Sequence, residues 1–150
     1  FLCCEPLNQI SMIKRLSHAS IYVIDQASAE DFYVNKLGLE LKLKIPVGND
    51  SFWLTVSSKE QPELEMTLMP INNRGMVKVE VATQLEGLIR SGTFGLGVFE
   101  CKDVFATYEE LQSKGVEFTK PPTEEFYGIE AMFKDDSGNW FSLTQFKEQE

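Results

Sequence analysis

Apolar and polar residues alternate with a period of two along His18 to Ile24 and again along Leu96 to Cys101. That spacing turns one face of a β-strand toward a core and the other away from it. Each run leads to an aspartate, Asp25 or Asp103, and then to apolar residues at helical spacing. These are Ala29, Phe32, Tyr33 and Leu37 in the first case and Val104, Tyr108 and Leu111 in the second. Both helical stretches close on a glycine, at Leu37-Gly38 and Lys114-Gly115, so an aspartate N-cap and a left-handed C′ glycine frame each one. Extended pieces follow, Leu39 to Ile45 and Val116 to Lys120, each running into a loop with Pro46 or with Pro121-Pro122. Two more strands complete each copy: Phe52 to Ser57 with Leu64 to Met69, and Ile129 to Lys134 with Trp140 to Gln145. Asp136-Ser137-Gly138-Asn139 has the residue types of a tight reversal between the last pair.

The chain therefore repeats one β-α-β-β-β unit at an interval of about 77 residues, which predicts an α+β fold of two tandem βαβββ modules. Residues 1–12 read as an N-terminal extension, with Met12 as the natural start; 13–70 form the first module, 71–93 a connector and 94–150 the second module. Within the connector, Val79 to Arg90 suits a short helix or an extra strand. Alternation assigns Ala19, Ile21, Val23, Leu54, Val56, Leu64, Met66 and Leu68 to the core beneath the first helix. Phe99, Cys101, Ala131, Phe133, Phe141 and Leu143 take that place under the second. The opposite faces carry His18, Ser20, Tyr22, Trp53, Thr55, Glu65 and Thr67 from one copy. The other copy contributes Leu96, Val98, Glu100, Glu130, Met132, Trp140, Ser142 and Thr144. Two mixed polar and aromatic sheet faces that oppose one another make a small-molecule cup.

Charge and composition narrow the chemistry. With 14 basic against 23 acidic residues in 150, a formal charge of −9 and no Lys/Arg cluster, nucleic acid is excluded as a partner. No apolar run approaches membrane-spanning length, and Phe1 to Leu7 has no basic leader, so a cytoplasmic protein is expected. Cys3, Cys4 and Cys101 form no disulfide framework and are read as free thiols. His18 is the single histidine, which removes HExxH zinc sites and histidine pairs within a chain, and no G-x-S-x-G elbow is present for a serine nucleophile. Gly92, Gly95 and Gly97 run into a strand, not a helix N-terminus, and are read as a flexible lead-in to that strand, not a phosphate cradle.

At this level the chain resembles the vicinal oxygen chelate superfamily of glyoxalases, bleomycin-resistance proteins, fosfomycin-resistance enzymes and extradiol dioxygenases. H-A-S-I-Y-V-I-D from His18, F-Y-V-N-K-L-G-L-E from Phe32, E-L-E-M-T-L-M-P from Glu63, V-F-E-C-K-D-V from Val98 and D-S-G-N-W-F-S-L-T-Q from Asp136 carry the likeness, between Ile13 and Phe146. The resemblance implies paired modules curled into a half-barrel cup, with the chains paired in a homodimer. It also implies metal ligands at four strand positions, which fall here on His18, Glu65, Leu96 and Ser142. Leucine has no lone pair and a neutral serine hydroxyl is a feeble ligand, so His18 and Glu65 alone remain, short of the three protein groups a catalytic ion commonly uses.

Two functions follow from this pattern. One is a protein of the bleomycin-resistance kind that binds a small organic molecule without chemistry and needs no cofactor. Its contacts are Tyr22, Trp53, Thr55, Glu65, Glu100, Met132, Trp140 and Ser142, with aromatic faces and carboxylates favouring a cationic or amine-bearing guest. The alternative is a lyase, isomerase, transferase or dioxygenase-like enzyme using a divalent metal on His18 and Glu65, with Glu130 moving the proton. The segment Glu124 to Gly128, with its two aromatics, suits a lid over the cup.

Overall fold

The computed structural model describes residues 12–72 and 75–149; the expectations for residues 1–11, including Cys3 and Cys4, lie outside the described residues. The elements are β1 (His18–Val23), α1 (Gln26–Glu30) with a π-helical continuation (Asp31–Lys36), β2 (Glu40–Gly48), β3 (Ser51–Ser58), β4 (Gln61–Pro70), α2 (Val79–Arg90), β5 (Gly95–Glu100), α3 (Val104–Ser113), β6 (Glu117–Glu125), β7 (Gly128–Lys134) and β8 (Trp140–Phe146). Two sheets result, in the orders β1-β4-β3-β2 and β5-β8-β7-β6, with β1 parallel to β4 and β5 parallel to β8. The repeat is thus two tandem βαβββ modules, joined by α2.

The local signals act as the sequence requires. The Asp25 carboxylate accepts from the Ser28 amide at 2.7 Å and that of Asp103 from the Ala106 amide at 3.1 Å. Gly38 and Gly115 take φ of +77° and +87°, the left-handed region that releases the chain from each helix into a strand.

Two expectations need correction. The first helix is not α-helical to its end: Leu37 bonds back to the Phe32 carbonyl, five residues earlier, at 2.9 Å. The wider turn lets the consecutive aromatics Phe32 and Tyr33 both enter the core, ring edge against ring face at 5.3 Å. Pro46 and Pro121-Pro122 do not lie in loops; they sit inside β2 and β6. These are the outer strands of their sheets, where proline is tolerated, and the ladder slips by a bulge beside each proline site.

The helix-bearing sides of both sheets meet in one core. Ile21, Val23, Leu54, Val56 and Leu68 from the first module and Ala131, Phe133, Phe141 and Leu143 from the second are buried together, while Met66, Phe99 and Cys101 pack partly buried against them. Ala19 and Leu64, at the His18 end, are partly exposed. Phe32 meets Phe133 at 6.4 Å and Tyr33 meets Phe141 at 6.3 Å. A polar clasp reinforces this seam. The Tyr33 hydroxyl, on a side chain with no exposed surface, donates to Asp135 Oδ2 at 2.7 Å. Oδ1 of Asp135 accepts from the amides of Ser137, Gly138 and Asn139, each at 2.9 Å. The Asn139 side chain donates to the Tyr22 carbonyl at 2.9 Å, and the Ile24 amide donates to the Ser137 hydroxyl at 3.0 Å. The reversal at 136–139 therefore closes a hairpin and also grips the end of β1.

Burial, with the Asp135 carboxylate beside it, pushes the Tyr33 phenol well above the ordinary 10.0. A raised acid is neutral in the folded state, so this stability is intact below the unfolded value and is lost as pH climbs above it. Stability is expected to fall at up to ~1.4 kcal/mol per pH unit above about pH 10 on account of this one group. Urea melts of wild type and Tyr33→Phe at about pH 9 and about pH 11 check this: the variant starts lower by about 1 kcal/mol and shows the shallower alkaline loss. Equal losses would contradict it.

Candidate functional site

Because the backs of the sheets are joined, the cup-side face of each is turned away from the shared core. On the first sheet the parallel register sets His18 opposite Glu65, and their side chains meet at 3.3 Å (Nε2 to Oε2). The Thr55 hydroxyl donates to the other carboxylate oxygen at 2.7 Å, and His18 Nδ1 lies 3.0 Å from the Ser17 hydroxyl. Thr55 and Thr67, paired across β3 and β4, are buried beside this pair. Trp53 is half-buried and Tyr22 is exposed at its rim.

On the second sheet Glu130 is the centre. Lys120 donates to it at 3.0 Å and to Glu125 at 2.7 Å. Tyr127 and Ser142 also hydrogen-bond the Glu130 carboxylate. Burial raises the Glu130 pKa, but these three donors outweigh it and hold the group below the ordinary carboxylate range. The two carboxylates, Glu125 foremost, push the Lys120 ammonium up to about 12. A carboxylate so held favours its charged form, which disposes it to bind and disfavours proton uptake. The same diagonal is used in both modules with the partners exchanged: hydroxyl on β3 and carboxylate on β4 in the first, carboxylate on β7 and hydroxyl on β8 in the second.

Trp140 owes its place to a glycine. A Cβ on Gly95 would stand 2.1 Å from the indole Cζ2, so the ring lies directly over this residue of β5. Close packing thus explains Gly95, which the sequence suggests only as a flexible lead-in. Met132 lies opposite Ser142 in register on the same face. Glu100 is exposed at the outer strand, in register with Thr144, which pairs in turn with Glu130. Among the predicted site residues Glu100 alone lines the cavity of about 700 Å³ that opens between the modules around Leu39, Phe99, Leu111 and Phe133. Half-burial pushes the Cys101 thiol at this cavity above its ordinary value, and it is a free thiol. Glu124 to Gly128 is no long lid: β6 and β7 reach to Glu125 and from Gly128, leaving Phe126 and Tyr127 as a tight turn. Phe126 is 88% exposed there, edge-on to Tyr127 at 5.0 Å.

Five cup-side residues escape the alternation argument. The bulge between Leu41 and Leu43 reverses the parity of β2, so Leu43 pairs with Thr55 and Ile45 with Trp53, adding apolar side chains to the first face. Bulges on both sides of Lys120 turn it toward Met132 and Glu130. Glu125 and Tyr127 follow it inward through the short turn. Pro121-Pro122 is the available signal beside the Lys120 bulges, whereas no proline adjoins the bulge between Leu41 and Leu43.

Of the four metal-ligand positions implied by the resemblance, His18 and Glu65 carry ligand-type side chains. His18 and Glu65 are engaged with each other, Leu96 offers no donor and Ser142 is bonded to Glu130. Among the described residues no group of three or more His, Cys, Asp or Glu side chains could hold an ion. No described helix is long and apolar enough to cross a membrane.

Comparison with known proteins bears on the family and the fold. A family model described as Glyoxalase/Bleomycin resistance protein/Dioxygenase superfamily matches residues 15–143. YetH of Bacillus subtilis (strain 168) is 34% identical over 134 residues, 89% of this chain and 100% of its own. The crystal structure of UcmS2 superposes with a TM-score of 0.83 at 43% identity, over 89% of this chain and 98% of that one. TnmS3, an antibiotic binding protein from Streptomyces sp. CB03234, superposes with a TM-score of 0.71 at 27% identity, over 92% of this chain and 100% of that one.

Proposed function

The chain belongs to the glyoxalase/bleomycin resistance protein/dioxygenase superfamily, and on that premise we propose that it binds a small aromatic organic molecule of the antibiotic kind and releases it unchanged. The observation that carries this reading is the state of the cup-side polar groups. Each carboxylate at the centre of a face, Glu65 or Glu130, already has protein donors, and the surfaces beside them are aromatic and aliphatic. Such a face offers stacking area and fixed hydrogen-bond partners, without an open metal position or a poised base. Tyr22, Trp53, Ile45 and Leu43 on one side and Met132 and Trp140 on the other are the apolar contacts; Thr55, Glu65, Ser142 and Glu130 orient the guest. The similarity to an antibiotic binding protein supports the same class of ligand.

The working cup is proposed to form in a homodimer, from the first module of one protomer and the second module of its partner. Within one chain the modules share their backs, and among the described residues β1 and β5 are outer strands with an unpaired edge. Leu96 and Val98 of β5 are exposed and need a cover.

A thermal-shift screen of aromatic antibiotics, followed by mass spectrometry of the recovered compound and light scattering of the protein, tests both parts. A ligand at about a hundred times its Kd is expected to add ~2.7 kcal/mol to a two-chain particle and to be recovered intact. Multiple-turnover conversion of the compound, or no shift with any member of the panel, would overturn the binding reading; a monomer that binds would overturn the shared cup.

A further inference from the structure

We propose that Lys120 is a ligand-anchoring residue of the second half-cup and that the guest presents an oxygen acceptor to it, as a carbonyl or carboxylate. The proposal rests on the binding function above and names the chemistry of the guest. Four observations support it. Lys120 lies between two slips of the β6–β7 ladder, after Phe118 and before Thr123. Without a bulge the side chain two residues after Phe118 would share its face and point into the core, where Phe118 packs with Phe133 at 5.7 Å. The slip instead turns it to the cup, in register with Met132, and bulges commonly re-aim a side chain beside a site.

Second, the ammonium is fixed but not used up. It has three N–H donors; Glu125 takes one at 2.7 Å and Glu130 another at 3.0 Å. One remains for a guest. Third, the side chain is 27% exposed, so an incoming atom can reach it, while Glu130 beneath it is only 13% exposed and is held by Tyr127 and Ser142 as well. Fourth, the acidic groups of this half of the cup, Glu130 and Glu125, are already paired with Lys120. A cation entering here would meet the ammonium first, whereas an acceptor oxygen gains a charge-assisted hydrogen bond.

A matched series tests this: 2-naphthoate, 2-naphthamide and 2-naphthylmethylammonium share one aromatic body and differ in the head group. Binding is read by quenching of tryptophan fluorescence in the full chain. Wild type is expected to prefer the carboxylate and the amide over the ammonium, and Lys120→Met to lose about tenfold or more for those two while leaving the ammonium unweakened. Lys120→Arg keeps the preference, and unchanged near-ultraviolet circular dichroism shows that each variant is folded. Equal weakening of all three compounds in Lys120→Met, or a wild type that favours the ammonium, overturns the anchoring role while the binding reading stands. If wild type binds none of the three, the reading of the cup as an aromatic site fails and the Lys120 proposal with it.

Discussion

Replacement of Asp135 by alanine is expected to lower the unfolding free energy by about 3–5 kcal/mol, the cost of removing one partner of a buried, charged hydrogen-bond network. The carboxylate accepts from three consecutive amides, from the Tyr33 hydroxyl and, at 3.0 Å, from the Asn139 side chain. Alanine leaves these donors facing each other with no water supply, because Tyr33, Ser137 and Asn139 are all buried. Asparagine at the same position keeps one acceptor oxygen but sets an amide N–H₂ among donors, so a loss of about 1–3 kcal/mol is expected. Urea denaturation followed by tryptophan fluorescence reads both. A change below about 1 kcal/mol in the alanine variant would show that the clasp is not what joins the modules.

Phe133→Ala is expected to cost about 3–5 kcal/mol as well, by a different route. Phe133 stacks with Phe99 and Phe141 at 6.1 and 5.7 Å and touches Phe118 and Phe32, so it links both modules through one ring. It also lines the cavity between the modules, and truncation enlarges an existing void that the surrounding strands cannot close. Leucine restores most of the volume and is expected to recover more than half of the loss. The two sites are linked through Tyr33 and Phe141, since Asp135 holds the Tyr33 hydroxyl, the Tyr33 ring meets Phe141, and Phe141 stacks with Phe133. The double variant should therefore depart from additivity by about 0.5–3 kcal/mol. Strict additivity would mean that polar clasp and aromatic seam act independently.

The parts of this architecture that depend on short-range pattern were legible in the chain. Asp25 and Asp103, Gly38 and Gly115, and the alternation through β1, β3, β4, β7 and β8 state their roles locally, and the structure uses them so. That His18 and Glu65 share a face follows from the same parity, and the parallel register then sets them opposite one another. Lys120, Leu43 and Ile45 were hidden for the opposite reason. A bulge inserts one residue and reverses every side chain after it, and nothing in a period-two pattern marks where the slip occurs. Proline marks an irregularity, but the residue type alone does not distinguish the end of a strand from a bulge within it. The contact between the backs of the modules was also beyond reach: it depends on Phe32 and Tyr33 meeting Phe133 and Phe141, residues about a hundred positions away, and on a π-helical turn that helical spacing does not distinguish from an α-helix.

The prolines of β2 and β6 bear on how the molecule keeps from sticking to itself. An outer strand with a full row of free amides is a template on which other chains can stack without limit, ending in fibrous deposits. Pro46, Pro121 and Pro122 reduce the donors that β2 and β6 can offer a ladder, and the slips beside them twist these strands out of line. Only the β1 and β5 sides remain receptive, and a contact confined to one side of each sheet ends when it is filled.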